Sequence, residues 1–198
     1  MLFEMRDSES ALLERVAEVL RVQEDLNRAL RIEDGSTGAA RLKLYVRSNI
    51  RPAGQFALEQ LGLIGPSATA TIREMLDDAT LSGHAELIEA YVKAGGEAVA
   101  EDLNRRLQEQ LSFWRGVAHS LEKGWWNQQQ TADREALRGR YSQTLELVVA
   151  LQKVRCSEAL FTVTDLRTLW RSVSALDDPD GLDQVSKECD RVIDHLSK

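Results

Sequence analysis

Ala57-Leu58-Glu59-Gln60-Leu61-Gly62-Leu63-Ile64-Gly65-Pro66-Ser67-Ala68 runs on to Ile72 and Leu76. It is answered about thirty residues later by Leu87-Ile88-Glu89-Ala90-Tyr91-Val92-Lys93-Ala94-Gly95-Gly96-Glu97-Ala98, which runs on to Leu103 and Leu107. In both copies apolar residues recur at helical spacing on either side of a break, Gly65-Pro66 in the first and Gly95-Gly96 in the second. Each copy therefore reads as two helices joined by a tight turn. The offset is 30 residues in the first helix (Leu61 to Tyr91) and 31 in the second (Ile72 to Leu103), so one residue has entered near the turn. A weaker third copy keeps only the apolar beat of Val117, Ala118, Leu121 and Gly124. One helix pair buries a single face alone, and stacking on its neighbours buries the other, so a period of this length predicts a helical solenoid.

Outward from this stretch the chain keeps to helical patterning. Toward the N-terminus, Leu12, Leu13, Val16, Val19, Leu20, Leu26, Ala29 and Leu30 give an amphipathic helix over Ser8 to Ile32, with Ser10 as its cap. The run Glu33 to Gly38 ends it, and a second helix is expected from Ala39 to Ser48. The clear repeats are read as Pro52–Leu63, Ser67–Asp77, Ala85–Ala94 and Glu97 to about Gln110, with Phe113, Trp114, Val117 and Leu121 on a further helix. Toward the C-terminus a long helix carries Leu137 to Leu151, another starts near Thr164 or Asp165, and a last one spans Leu182 to Leu196 with Val185, Cys189, Val192 and Ile193 on one stripe. Three prolines in 198 residues suit long helices, and no convincing strand pattern occurs. The expectation is an all-α fold of about ten helices. It takes the form of a right-handed α-solenoid of stacked antiparallel helix pairs in one domain: diverged helices over 1–50, repeats over 51–126, and C-terminal helices with a cap over 131–198.

The segment Ala57-x-x-x-Leu61-Gly62-x-Ile64-Gly65-Pro66-x-Ala68-x-x-x-Ile72-x-x-x-Leu76 resembles the short HEAT-like repeat first associated with phycobilisome lyases, over roughly Gln55 to Leu111. The resemblance implies a HEAT-like superhelix. It does not carry over the lyase activity, because such repeats serve many unrelated proteins as binding scaffolds.

The net charge of −7 disfavours a generic grip on nucleic acid or anionic lipid, both of which depend on clustered Lys and Arg. No apolar run reaches the roughly 18–20 residues of a membrane span, and the start, Met1 to Asp7, is not a secretion signal, so a cytoplasmic location is expected. Cys156 and Cys189 match no metal or redox spacing and read as two reduced thiols in or near the core. The loop Asp177 to Asp183 invites a calcium reading. Aligning Gly181 as the sixth position, however, puts Leu176 first and Lys187 twelfth, so an acidic capping loop is the better account. His84, His119 and His195 are far apart, and no nucleophile elbow, phosphate loop or dinucleotide fingerprint is present. No metal, cofactor or catalytic residue is expected.

Two features point to a surface. If Ile72 and Leu103 face inward, Glu74 and Asp77, then Glu101, Arg105 and Gln108, lie roughly opposite, with Glu74 beside Arg105 at the 31-residue offset. Such columns line the concave face of a solenoid, although an ordinary solvated face has the same composition. Trp125 and Trp126 are adjacent, about 100° apart on a helix, so both cannot enter one stripe. Either one indole is exposed for binding or both fold back as core. Phe113, Trp114 and Trp170 read as core. The expected function is a non-catalytic scaffold or adaptor that binds another protein, as a monomer or weak homo-oligomer. One alternative is a HEAT-like DNA-binding protein or alkylpurine DNA glycosylase, which this chain resembles in length and helical build. Another is a regulatory subunit of a larger complex.

Overall fold

A computed structural model describes residues 2–31, 35–47, 51–78, 84–122, 131–174 and 182–197. Among these there is no strand. The described residues form nine α-helices: α1 (Leu2–Arg31), α2 (Gly35–Val46), α3 (Arg51–Ile64), α4 (Thr69–Leu76), α5 (His84–Gly95), α6 (Ala100–Glu122), α7 (Thr131–Lys153), α8 (Ala159–Ser174) and α9 (Leu182–Leu196). Short 3-10 turns, Gly65–Ala68 and Gly96–Val99, lead into α4 and α6. The chain divides into two compact units, Met1–Gly95 and Gly96–Lys198, and the division falls within the second repeat.

The two repeat copies take the same local form. Gly65 (φ 81°) and Gly96 (φ 53°) both adopt the left-handed conformation, which a residue without Cβ enters at no steric cost. Each opens a 3-10 turn, and each turn hands over to an α-helix at its fifth residue, Thr69 or Ala100. Pro66 sits at the start of the first turn, where a missing N–H costs nothing. The apolar beat is buried in both copies: Leu61 and Tyr91, then Ile72 and Leu103, have no exposed surface. A fully buried aliphatic side chain of this size contributes roughly 1.5–3 kcal/mol.

In the first unit α3 packs on α1 and on α5, and α2 packs on α4. Each helix thus rests on the helix two further along the chain, which makes one layer of α1, α3 and α5 and another of α2 and α4. Gly62 lets α3 approach α5, since a Cβ there would lie 2.9 Å from Cδ of Lys93. In the second unit α6 packs on α8 and α7 on α9, while α6–α7 and α8–α9 close the sides. Its core gathers Trp114 and Trp170 (centroids 4.8 Å apart) with Tyr141, 5.7 Å from Trp170. Nε1 of Trp114 donates to Oγ1 of Thr144 at 2.9 Å, and the Arg140 guanidinium lies over Phe113. The link 154–158 turns through Arg155, at φ 51°, and Val154 and Cys156 are buried beside it.

Four expectations need correction. Glu97–Gln110 and the Phe113 helix are one helix, α6, of 23 residues. Nothing between Gln110 and Phe113 breaks a helix, so the third copy's first helix is the second half of α6, and nine helices stand where about ten were expected. Ser10 lies inside α1 and caps nothing. Gly35 opens α2 and Gly38 is buried within it, so this run does not hold the chain away from a helix. The eighth helix begins at Ala159, and Thr164, expected near its start, instead bonds back to the carbonyl of Leu160 at 2.7 Å. α9 carries the expected stripe, with Val185, Cys189 and Val192 fully buried. Residues Asp177 to Gly181 lie outside the described residues.

Candidate functional site

Of the surface residues singled out from sequence, Glu74, Asp77, Glu101, Arg105 and Gln108 lie on or at the end of two helices, one in each unit. On the first unit Glu74 lies in the last turn of α4 and Asp77 caps its end, its N–H donating to the carbonyl of Arg73 at 3.1 Å. Both side chains are exposed. The Glu74 carboxylate pairs with the ammonium of Lys43 on α2. One helical turn further on, Arg47 donates to Asp78 at 2.7 Å. Both links join residues 31 apart, so the period of the sequence is also the period of the ion pairs between α2 and α4. Behind this face Nε of Arg73 donates to the buried hydroxyl of Tyr91 at 3.1 Å, tying α4 to α5.

On the second unit Glu101, Arg105 and Gln108 are exposed along α6. Arg105 donates to Asp102 at 2.7 Å and pairs with Glu109. The hydrogen bond that Arg105 donates to Asp102, reinforced by the charges of Asp102 and Glu109, raises the Arg105 pKa above its ordinary value. Asp102 reaches both ways: it also accepts from Nε of Arg106 at 3.0 Å, and the Asp102 and Arg106 side chains are both about nine-tenths buried. Arg105 thus pairs along its own helix with two carboxylates while staying half exposed, and it shares the exposed side of α6 with Glu101 and Gln108.

Sequence reasoning found the exposed residues and missed their neighbours. Asp102, with Arg105 three and Arg106 four residues on, carries a spacing that signals helical ion pairs. Lys43 was missed because the offset was followed forward from Glu74 to Arg105 and not back by the same 31 residues. Trp125 and Trp126 lie outside the described residues. Cys156 and Cys189 are free thiols, both buried. Burial, with a smaller contribution from Asp190, pushes Cys189 up to about 12, so it stays a protonated thiol at neutral pH. Among the described residues no group of three or more His, Cys, Asp or Glu could hold a metal ion. No described helix is long and apolar enough to cross a membrane. Comparison with protein-family models, with curated proteins and with solved structures gives no match to this chain.

Proposed function

We propose that this protein is a non-catalytic scaffold, built as a HEAT-like α-solenoid, that binds another protein through the exposed residues Glu101, Arg105 and Gln108 of α6. The observation that carries the reading is the packing of each helix on the helix two further along within each unit, coupled to ion pairs at the 31-residue period between α2 and α4. A helix stacked on its neighbours keeps one side open along its length, a surface suited to a macromolecule. Glu101, Arg105 and Gln108 on α6 have mixed charge, which favours selection of a polar protein surface over a generic polyanion.

The test is affinity capture from native extract with the wild-type chain and with a Glu101→Ala, Arg105→Ala, Gln108→Ala variant at exposed positions, with circular dichroism checking that the variant is folded. A protein recovered by the wild type and lost from the variant supports the reading. Equal recovery by both moves the interface off α6 and refutes the assigned face. Salt-sensitive DNA binding with no protein captured refutes the scaffold.

A further inference from the structure

Helix α1 is 30 residues long, about 45 Å at 1.5 Å per residue. Only part of it is used by its own unit. Val22 is fully buried, whereas every residue from Ser10 to Ala17 is exposed. Within and just beyond that bare stretch stand Leu12 (60% exposed), Leu13 (67%), Val16 (49%) and Leu20 (60%). The four fall within about 100° of the helix circumference, on a stripe distinct from the one Val22 occupies. Two helical turns with no tertiary cover are marginal in water, and clustered apolar side chains of this size mark a contact surface.

We propose that this stripe is a homodimerisation surface, on which α1 of one chain pairs antiparallel with α1 of a second copy about a two-fold axis at Val16. Two features specify the occupant. The first is self-complementarity, which a two-fold interface requires because one patch must match itself. Leu12 and Leu20 stand four residues either side of Val16, so in the antiparallel pair each Leu12 meets Leu20 of the other copy and Val16 meets Val16. The second is charge. Residues 2–14 hold four carboxylates and one arginine, whereas residues 18–31 hold three of each. The antiparallel arrangement sets a segment of net charge −3 against one of net charge 0 and opposes the helix dipoles favourably, while a parallel pair sets the two −3 segments side by side. This association does not depend on what the charged face of the scaffold binds.

The test begins with light-scattering mass across a dilution series of the full chain from about 100 to 1 µM, a range that spans ordinary dimer affinities. The wild type is expected to pass from dimer to monomer. Val16→Glu, at an already exposed position, places two carboxylates face to face on the axis and is expected to weaken the dimer at least about 100-fold with unchanged circular dichroism. Orientation is read by oxidative cross-linking, since the native thiols are buried and a disulfide demands close approach. Leu12→Cys mixed with Leu20→Cys should cross-link, and Leu12→Cys alone should not, its two copies lying about 12 Å apart along the axis. A monomer at every concentration, a dimer indifferent to Val16→Glu, or ready cross-linking of Leu12→Cys alone each overturns the proposal.

Discussion

Substituting alanine for glycine at two positions should move stability in opposite directions, and the geometry says why. At Gly65 an added Cβ would meet nothing within 4 Å, so no steric contact enters. The backbone there stands at φ 81°. A residue with a Cβ pays roughly 1–2 kcal/mol to occupy the left-handed region, and the reduced freedom of the unfolded chain returns about 0.4–1 kcal/mol. Gly65→Ala should therefore destabilise by about 1 kcal/mol net. Gly116 lies within α6, and a Cβ there also meets nothing within 4 Å. In an ordinary helical position alanine is better than glycine by about 1 kcal/mol, so Gly116→Ala should stabilise by that amount. The two variants thus differ by about 2 kcal/mol although neither alters a tertiary contact. Urea unfolding followed by far-ultraviolet circular dichroism, with each variant referred to the wild type at the same pH, measures the difference. If the units unfold in separate transitions, Gly65→Ala should act on the Met1–Gly95 transition and Gly116→Ala on the other. A Gly65→Ala midpoint at or above the wild type would refute the claim that the turn needs the left-handed conformation. Gly96→Ala, at φ 53° and with the same open surroundings, should repeat the loss.

Other expectations follow from the second unit. Thr144→Val keeps the shape of a fully buried side chain but removes the acceptor for the Trp114 indole N–H. A buried donor left unpaired costs about 1–3 kcal/mol, and denaturation followed by tryptophan fluorescence should show it. Cys189, with its folded pKa about 12 against an ordinary 9.0, should resist thiol reagents at pH 8 in a Cys156→Ala background and react only on unfolding. Because its folded pKa is raised, Cys189 costs no stability below the unfolded pKa. From about pH 9 to 12 the unfolded thiol ionises while the folded one does not, and stability falls. Cys189→Ala should remove that part of the alkaline slope, as urea unfolding in this pH range would reveal.

Much of the architecture was written in spacing. The breaks at Gly65-Pro66 and Gly95-Gly96 are local chemistry, and the left-handed glycines with their 3-10 turns stand at both. Buried positions such as Leu61, Tyr91, Ile72 and Leu103 were legible because helical periodicity reports which face turns inward. Periodicity is silent about what, if anything, covers that face. The spacing of Leu12, Leu13, Val16 and Leu20 gave an amphipathic helix, and all four prove exposed. Helix ends were the weakest part of the reading. Gly35 and Gly38 look like terminators, yet Gly38 is buried inside α2. Gly35 approaches Ser67 so closely that a Cβ would lie 2.9 Å from the Ser67 Cβ. Its small size serves packing between segments that no local pattern could reveal. The charged surface was half legible: exposure followed from the helical wheel, but the pairing of Glu74 with Lys43 depended on which copies stack.

The next-but-one packing also shapes how the chain can acquire its structure. A helix whose partner lies two helices ahead needs only a few tens of further residues before it can be covered. Within each unit no pairing waits for a distant segment, so the loop-closure cost of every contact is modest and folding should be fast for the chain's length. A nascent chain leaving the ribosome N-terminus first can lay α3 on α1, then α4 on α2, then α5 on α3, in the order of synthesis. The apolar faces are sheltered progressively, and the period that organises the folded protein also limits how much sticky surface is uncovered while it is being made.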